Sequence, residues 1–382
     1  MNEPGAGRIP ILDRPMAPDT ISFARGAPSA DILPAAAVRE AAAQALETDW
    51  QRALSYGTGV GHPGLGGWIA ALHGIDPAQV MVTNGSMEAA AILFQHSLEP
   101  GDRVIVEQPT YDRTLLLLKR AGVELVPVRL ESDGLDLAAF EAALAAGPVK
   151  LAHVIPNFHN PAGCTLSEAK RRRLVELAAE HEFTIFEDDP YRLVRFAGEE
   201  HPTMLSLDRA GRVIHASSFS KTISPGVRVG YLAGTPDEIA RLAKRAGETY
   251  ISPNMLAESI VFALCESGGL ERNIGFVNGA LRDRRDALVA ALGEQIPEAD
   301  FVVPEGGYFL WLTLAGDVDT AALLGAATEE GVTFIAGADF LLEGGKNALR
   351  LSFASVPAEQ VAEGVARIAR ALEALRASRA AA

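Results

Sequence analysis

The chain has 382 residues, 48% of them apolar, a formal net charge of −15 and only two cysteines, Cys164 and Cys265. That length buries a large core and implies two domains, whereas the acidic balance gives no general attraction for nucleic-acid phosphates or anionic lipid, so neither is an expected partner. Two cysteines exclude a disulfide framework or a cysteine-rich metal centre, and with no membrane-length apolar run and no signal-like start at Met1-Asn2-Glu3-Pro4 a cytoplasmic enzyme is the expectation.

Taken along the chain, the strand Gln79 to Thr83 leads into Asn84-Gly85-Ser86-Met87-Glu88, which opens an Ala-rich helix to about Leu98. Glycine and serine at a helix N-terminus expose backbone N–H groups to an anion, a phosphate cradle without a Walker signature; Ser86 as a plain N-cap is the alternative. The strand Arg103 to Glu107 precedes Gln108-Pro109-Thr110-Tyr111, whose tyrosine either stacks on a planar ligand or packs as a helix-start aromatic. A strand at Glu124 to Val128, a helix from Asp136, the strand Leu151 to Pro156, a helix from Ser167 and the strand Phe183 to Glu187 continue the alternation. Such a rhythm predicts a mostly parallel sheet with helices on both faces.

Strand ends in such sheets gather polar groups at one edge. His159-Asn160-Pro161-Ala162-Gly163 follows one, and Asp188-Asp189-Pro190-Tyr191 follows another. Val213 to Ala216 then runs into Ser218-Phe219-Ser220-Lys221-Thr222, with Arg228 seven residues past the lysine. A lysine held against apolar surface loses part of its charge and becomes a nucleophile for an aldehyde; hydroxyls and a fixed cation beside it suit a phosphate. Together these features point to pyridoxal 5'-phosphate, with Asp188 as the carboxylate for its pyridine nitrogen. Taken alone, Lys221 is as readily a surface lysine and Asp188-Asp189 a solvated turn.

A helix-rich passage from about Pro253 to Leu292 links this part to strands near Phe301, Tyr308 to Leu312, Val332 to Ile335 and Leu349 to Phe353, and a last helix starts at Pro357. Arg350 lies within the last of those strands, and its planar fork suits a substrate carboxylate. His153 and His159 lack ligand spacing, so hydrogen-bonded or packed histidines are expected and no metal.

The ordered set Tyr56, Gly85-Ser86, Tyr111, Asn160, Asp188, Tyr191, Ser218, Ser220, Lys221, Arg228 and Arg350 resembles the fold type I pyridoxal phosphate enzymes. More narrowly, it is similar to the class I/II aminotransferases of the 2-aminoadipate and kynurenine branch. The resemblance implies a large domain over 36–270 and a smaller α/β domain over 271–382, with the segment 1–35 packing on the latter. It implies that Lys221 carries the cofactor aldimine, that Asn160 and Tyr191 bind the ring oxygen, and that Gly85, Ser86, Met87, Ser218, Ser220 and Arg228 lie around the cofactor and its phosphate. It further implies that Tyr111 stacks on the ring, that Arg350 with Asn160 holds the substrate carboxylate, and that Tyr56 reaches the cofactor of a second copy in a homodimer with shared sites.

The chain departs from its relatives in three places. Arg25-Gly26 stands where Gly-Gly is usual, Ala162 where Thr is usual, and the stretch from Tyr56 to Gly67 is glycine-rich where a Leu-Arg pair opens a helix. All three are expected near the substrate mouth, and Arg25 is either the candidate for the substrate side chain or simply an exposed or salt-bridged arginine. The expected reaction moves an amino group from an L-amino acid to a 2-oxo acid. A lyase, decarboxylase or oxidase on the same cofactor is the alternative, since the bond broken depends on its orientation to the ring. A ligand-sensing domain is disfavoured, because too few residues precede Ile21 for a DNA-binding unit.

Overall fold

The computed structural model describes residues 19–380. The start of the expected N-terminal segment and the last alanines lie outside the described residues. The chain opens with β1 (Ile21–Ser22), α1 (Ala35–Thr48), α2 (Trp50–Ala53) and α3 (Pro63–His73). The alternating middle follows as β2 (Val80–Thr83), α4 (Ser86–Ser97), β3 (Arg103–Gln108), α5 (Asp112–Ala121), β4 (Glu124–Glu131), β5 (Gly134–Leu135), α6 (Leu137–Ala145), β6 (Leu151–Val154), α7 (Glu168–His181), β7 (Thr184–Asp188), α8 (Met204–Leu207), β8 (Val213–Ser218) and β9 (Gly230–Ala233). Then come α9 (Pro236–Tyr250), α10 (Met255–Glu266), α11 (Gly269–Gln295), β10 (Phe309–Thr313), α12 (Thr320–Glu329), β11 (Val332–Thr333), β12 (Ile335–Ala336), β13 (Ala348–Ser352) and α13 (Ala358–Ala380).

Eight strands form one sheet in the order β2-β9-β8-β7-β6-β3-β4-β5. The run from β8 through β7, β6 and β3 to β4 is parallel, while β9 lies antiparallel to both β8 and β2. Two reversals bring β2 back parallel to β8, so the C-terminal ends of β2, β3, β6, β7 and β8 share one edge. The inner strands β6 and β9 and the edge strand β2 are buried along their whole length, as mostly apolar strands covered by helices are.

The covering helices follow their sequence signals. Thr235 caps α9 by accepting the Glu238 N–H, Pro236 occupies its first turn, and Ile239, Leu242, Ala243 and Ala246 form its buried face. In α5, Leu115 and Leu118 are buried, Lys119 and Arg120 sit in the last turn, and Gly122 closes the helix in the left-handed conformation.

A second core lies against the end of the sheet. There β10, β13 and β12 form an antiparallel sheet and β1 pairs with β11, and Ile21, Phe23 and Ile32 pack with residues of α11, α12 and α13. Two sequence expectations change here. No strand forms at Phe301, where Asp300 makes only an isolated bridge to Thr313; Val302 and Val303 face outward and Pro304, lacking an N–H, stops a ladder. The expected strand Val332 to Ile335 divides about buried Phe334, because Val332–Thr333 pairs with β1 and Ile335–Ala336 with β13.

Candidate active site

The shared strand edge floors a cavity of about 500 Å³, which Ala24 to Ala27 and Arg350 close from the side of the second core. Lys221 enters it three residues beyond β8. Its Nζ donates to the Gly26 carbonyl over 3.0 Å and lies 5.4 and 5.3 Å from the ring centres of Tyr191 and Tyr308. Enclosure of the amine, aided by the charge of Arg350, pushes its pKa down to about 8, although Asp188 pulls the other way. The Tyr308 hydroxyl donates to the Lys221 carbonyl at 2.8 Å and fixes the backbone that carries the amine.

An anion cradle lies beside it. Register places Thr83 and Ser218 on either side of Gly230, and a β-carbon on Gly230 would lie 2.6 Å from the Ser86 nitrogen, so its absence lets α4 close on the sheet. Gly85 rather than Ser86 is the N-cap of α4, at φ 91°, without a side-chain cap. Glu88 folds back instead, accepting the Asn84 N–H at 2.8 Å. Ser218 and Ser220 hydroxyls lie 2.9 Å apart, Arg228 Nη1 donates to the Ser220 oxygen at 3.2 Å, and Arg228 Nη2 donates to the Asn84 carbonyl at 3.1 Å. Met87 and Tyr111 complete this side of the cavity; burial pushes the Tyr111 hydroxyl up to about 12, so it remains a donor.

Asp188 ends β7 and faces the cavity, with the ring of buried His153 3.3 Å from its Oδ2. Below it, Glu187 accepts the Met204 and Leu205 N–H groups at 2.7 and 3.1 Å and lies 2.9 Å from His215 Nδ1. The next carboxylate, Asp189, accepts from Asn157 at 2.8 Å, and burial pushes its pKa up to about 6. Glu187, Asp189 and His215 come within metal-binding distance of one another. Their hydrogen bonds and Arg171, which donates to Asn157 at 2.8 Å, account for the cluster as a support beneath Asp188.

Opposite, Arg350 donates through Nη1 to Asn160 Oδ1 at 3.0 Å and through Nη2 to the Ala24 carbonyl at 2.7 Å. Its guanidinium lies 4.2 Å from the Phe309 ring centre and 4.8 Å from that of Phe340, and burial pushes its pKa down to about 10. A guanidinium only donates, so the carbonyl oxygen of Asn160 must face it and the amide NH2 is left for another acceptor. Tyr191 is buried beside Tyr308 and Phe309, and desolvation raises its pKa far above that of a free phenol, keeping its proton in place.

Two of the residues expected at the site stand apart from this group. Arg25 is exposed on the rim, without a hydrogen bond or ion pair among the described residues. Tyr56 lies outside the cavity lining with 83% of its surface exposed. The glycine-rich stretch owes its composition to close packing: β-carbons on Gly57 and Gly59 would meet Met255 Sδ at 2.3 Å and the Ala243 carbonyl oxygen at 2.0 Å. Sequence reasoning missed Phe309, Phe340, Asp112, Arg113 and Asp339 in the lining. The first two read as ordinary core aromatics; the three charges carried no signal beyond their nearness to Tyr111 and Arg350.

The donor set fits pyridoxal phosphate. The cradle presents a helix N-terminus, two hydroxyls and a guanidinium to a phosphate, the edge presents a carboxylate to a pyridinium, and a weakly basic amine stands between them. The buried Nε of Arg350 has no partner among the described residues, a donor still open to a carboxylate.

Comparison with known proteins gives the same assignment. Residues 18–368 match the family Aminotransferase class I and II. The chain is 34% identical to aromatic-amino-acid aminotransferase 1 of Thermococcus litoralis, over 93% of this chain and 88% of that protein. It is 33% identical to the 2-aminoadipate transaminase of Thermus thermophilus, over 97% and 96%. Among solved structures, α-aminoadipate aminotransferase of T. thermophilus complexed with N-(5'-phosphopyridoxyl)-L-leucine superposes with a TM-score of 0.90 at 31% identity, covering 94% of each chain. Kynurenine aminotransferase of Pyrococcus horikoshii, in complex with PMP, superposes at 0.89 with 32% identity, covering 93% of this chain and 91% of that one. The chain belongs to the class I and II aminotransferases, fold type I enzymes that use pyridoxal 5'-phosphate to move an amino group from an amino acid to a 2-oxo acid.

Proposed function

We propose that Lys221 is both the attachment point for the cofactor and the base that takes and returns the proton at the substrate α-carbon. The observation that carries this reading is its amine, enclosed in the cavity with its pKa brought down to about 8. Bound pyridoxal phosphate supplies an aldehyde carbon and an electron-withdrawing ring. Asp188, oriented by His153, holds the charge at the pyridine nitrogen. The Asn160 amide and the Tyr191 hydroxyl donate to the ring oxygen, and Tyr111 covers a ring face. Gly85 and Ser86 through their backbone, with Ser218, Ser220 and Arg228, bind the phosphate, and Met87 contributes apolar surface.

Arg350 binds the α-carboxylate of an L-amino acid together with Asn160, and its preset bonds to Asn160 and Ala24 support a bidentate grip. Arg25 serves the far end of the substrate, which favours amino acids with a side-chain carboxylate or polar group. Residues 50–60 support a homodimer, since Trp50, Leu54, Tyr56 and Val60 leave apolar surface exposed along one stretch; there Tyr56 serves the partner's cofactor. Packing of Ile21, Phe23 and Ile32 with α11 to α13 supports the division at about residues 35 and 270.

No helix among the described residues is long and apolar enough to cross a membrane, and a cytoplasmic location belongs to the same proposal; cell fractionation tests it. The reaction is tested with purified holoenzyme and a panel of amino acids and 2-oxo acids, assayed for new amino acid, ammonia and peroxide. Paired amino transfer without ammonia is the expected result; ammonia or peroxide in place of transfer overturns it.

A further inference from the structure

Two buried groups outside the cavity lining, Glu107 and His159, stand behind Asn160. Glu107 is on β3 and 2% exposed, and His159 is fully buried. The Glu107 Oε2 accepts the Ile155 N–H at 2.7 Å and lies 3.1 Å from His159 Nε2. On the other side of the ring, His159 Nδ1 accepts the Ala162 N–H at 3.2 Å. Because Nδ1 is an acceptor, the ring proton resides on Nε2 and points at the carboxylate, which fixes the tautomer. The backbone of His159 is held as firmly: its N–H donates to the Cys164 carbonyl at 2.9 Å and its carbonyl accepts the Gly163 N–H at 2.7 Å.

The imidazole thus ties the end of β6, through Glu107 and Ile155, to the turn that carries Asn160. We propose that Glu107 and His159 are a positioning pair for the reaction: they hold the Asn160 amide so that its oxygen meets Arg350 and its NH2 is aimed at the cofactor's ring oxygen. Burying a carboxylate is expensive unless its lone pairs are used. Here both donors to that carboxylate, the Ile155 N–H and the His159 ring, belong to the segment leading into Asn160. The inference rests on the reading of Asn160 as a cofactor ligand, and its test separates the two.

The visible absorbance band of the holoenzyme is titrated with pH in His159→Phe, Asn160→Ala and the double variant. Phenylalanine keeps a planar, somewhat larger ring and deletes both nitrogens. Loss of the Asn160 donor shifts the band's pKa, and His159→Phe is expected to shift it in the same direction, by about half to one pH unit, the size of a neutral hydrogen bond. In the double variant the shift equals that of Asn160→Ala alone, as a shared route requires. His159→Gln, which restores a donor toward Glu107, returns the band toward its original pKa. Glu107→Gln keeps the shape and is the companion variant should His159→Phe not fold; it shifts the band the same way by a smaller amount. Additive shifts, or folded variants of His159 and Glu107 that leave the band in place while Asn160→Ala moves it, overturn the positioning pair. A band unmoved by Asn160→Ala overturns the reading of Asn160 and the pair with it.

Discussion

A β-carbon placed on Gly85 would lie 2.2 Å from Nη2 of Arg228. The guanidinium occupies the space a side chain would need, and Gly85 itself stands at φ 91°, where an L-residue is strained. Gly85→Ala is therefore expected to push Arg228 off the Asn84 carbonyl and loosen the cradle. Strain of about 1 kcal/mol and a weakened charged hydrogen bond of about 1.5–3 kcal/mol together predict roughly seventyfold to thousandfold weaker cofactor binding. An absorbance titration of the unloaded protein checks it, and wild-type affinity removes Arg228 from phosphate binding.

Borohydride reduction of the holoenzyme followed by peptide mapping is expected to label Lys221 and no other lysine. Only the neutral amine attacks an aldehyde, so loading of the unloaded protein should accelerate as pH rises through about 8 and then level off. Arg350 is the largest charge holding that value down. Arg350→Met should move the loading profile to higher pH, and a profile left unchanged would falsify the coupling.

Asp188→Asn keeps the size of the side chain and its place beside His153. Retained fold and partial cofactor binding are expected, with turnover reduced by orders of magnitude because a neutral amide cannot hold a charge at the pyridine nitrogen. Turnover close to wild type would release Asp188 from that role.

Arg350→Ala should weaken every amino acid of a panel alike, by about tenfold to a hundredfold in kcat/KM for a lost charged contact. Arg25→Ala should weaken only substrates with a polar or acidic side chain. The rim also carries Asp112 and Asp339, and the nearness of Asp112, after desolvation, raises the Asp339 pKa. Equal loss across the panel would sink the side-chain role of Arg25, and a gain for acidic substrates in Asp339→Asn would show that the carboxylates oppose it.

Mixing inactive Tyr56→Ala with inactive Lys221→Ala should restore part of the activity through heterodimers that keep one intact site. Sedimentation of a fully active monomer rules this arrangement out.

Much of the site was legible because its residues sit at or a few residues past the ends of strands whose apolar runs are unmistakable. Asp188 at the end of β7, Lys221 past β8, Asn160 past β6 and Gly85 past β2 reach one edge by the topology of the sheet. Less legible was what depends on packing between distant segments. Nothing local reveals that Asp339 meets Asp112, or that Gly57 and Gly59 are small because α9 and α10 press on them. The strand expected at Phe301 failed for the same reason: an apolar run becomes a strand only where another strand offers a ladder.

The helix α11 runs for 27 residues, about 40 Å, and belongs to both cores. Near its start Leu270 packs with the buried residues of α10, and Asn273 donates to the Thr222 carbonyl beside Lys221. Farther along, Leu281, Leu288 and Leu292 pack in the second core, where Arg284 donates to the Ala354 carbonyl at 2.8 Å. Melting either core strips packing from one end of this rod and weakens its hold on the other, so the two cores are expected to denature in a single transition, and the backbone behind Lys221 to open only with it.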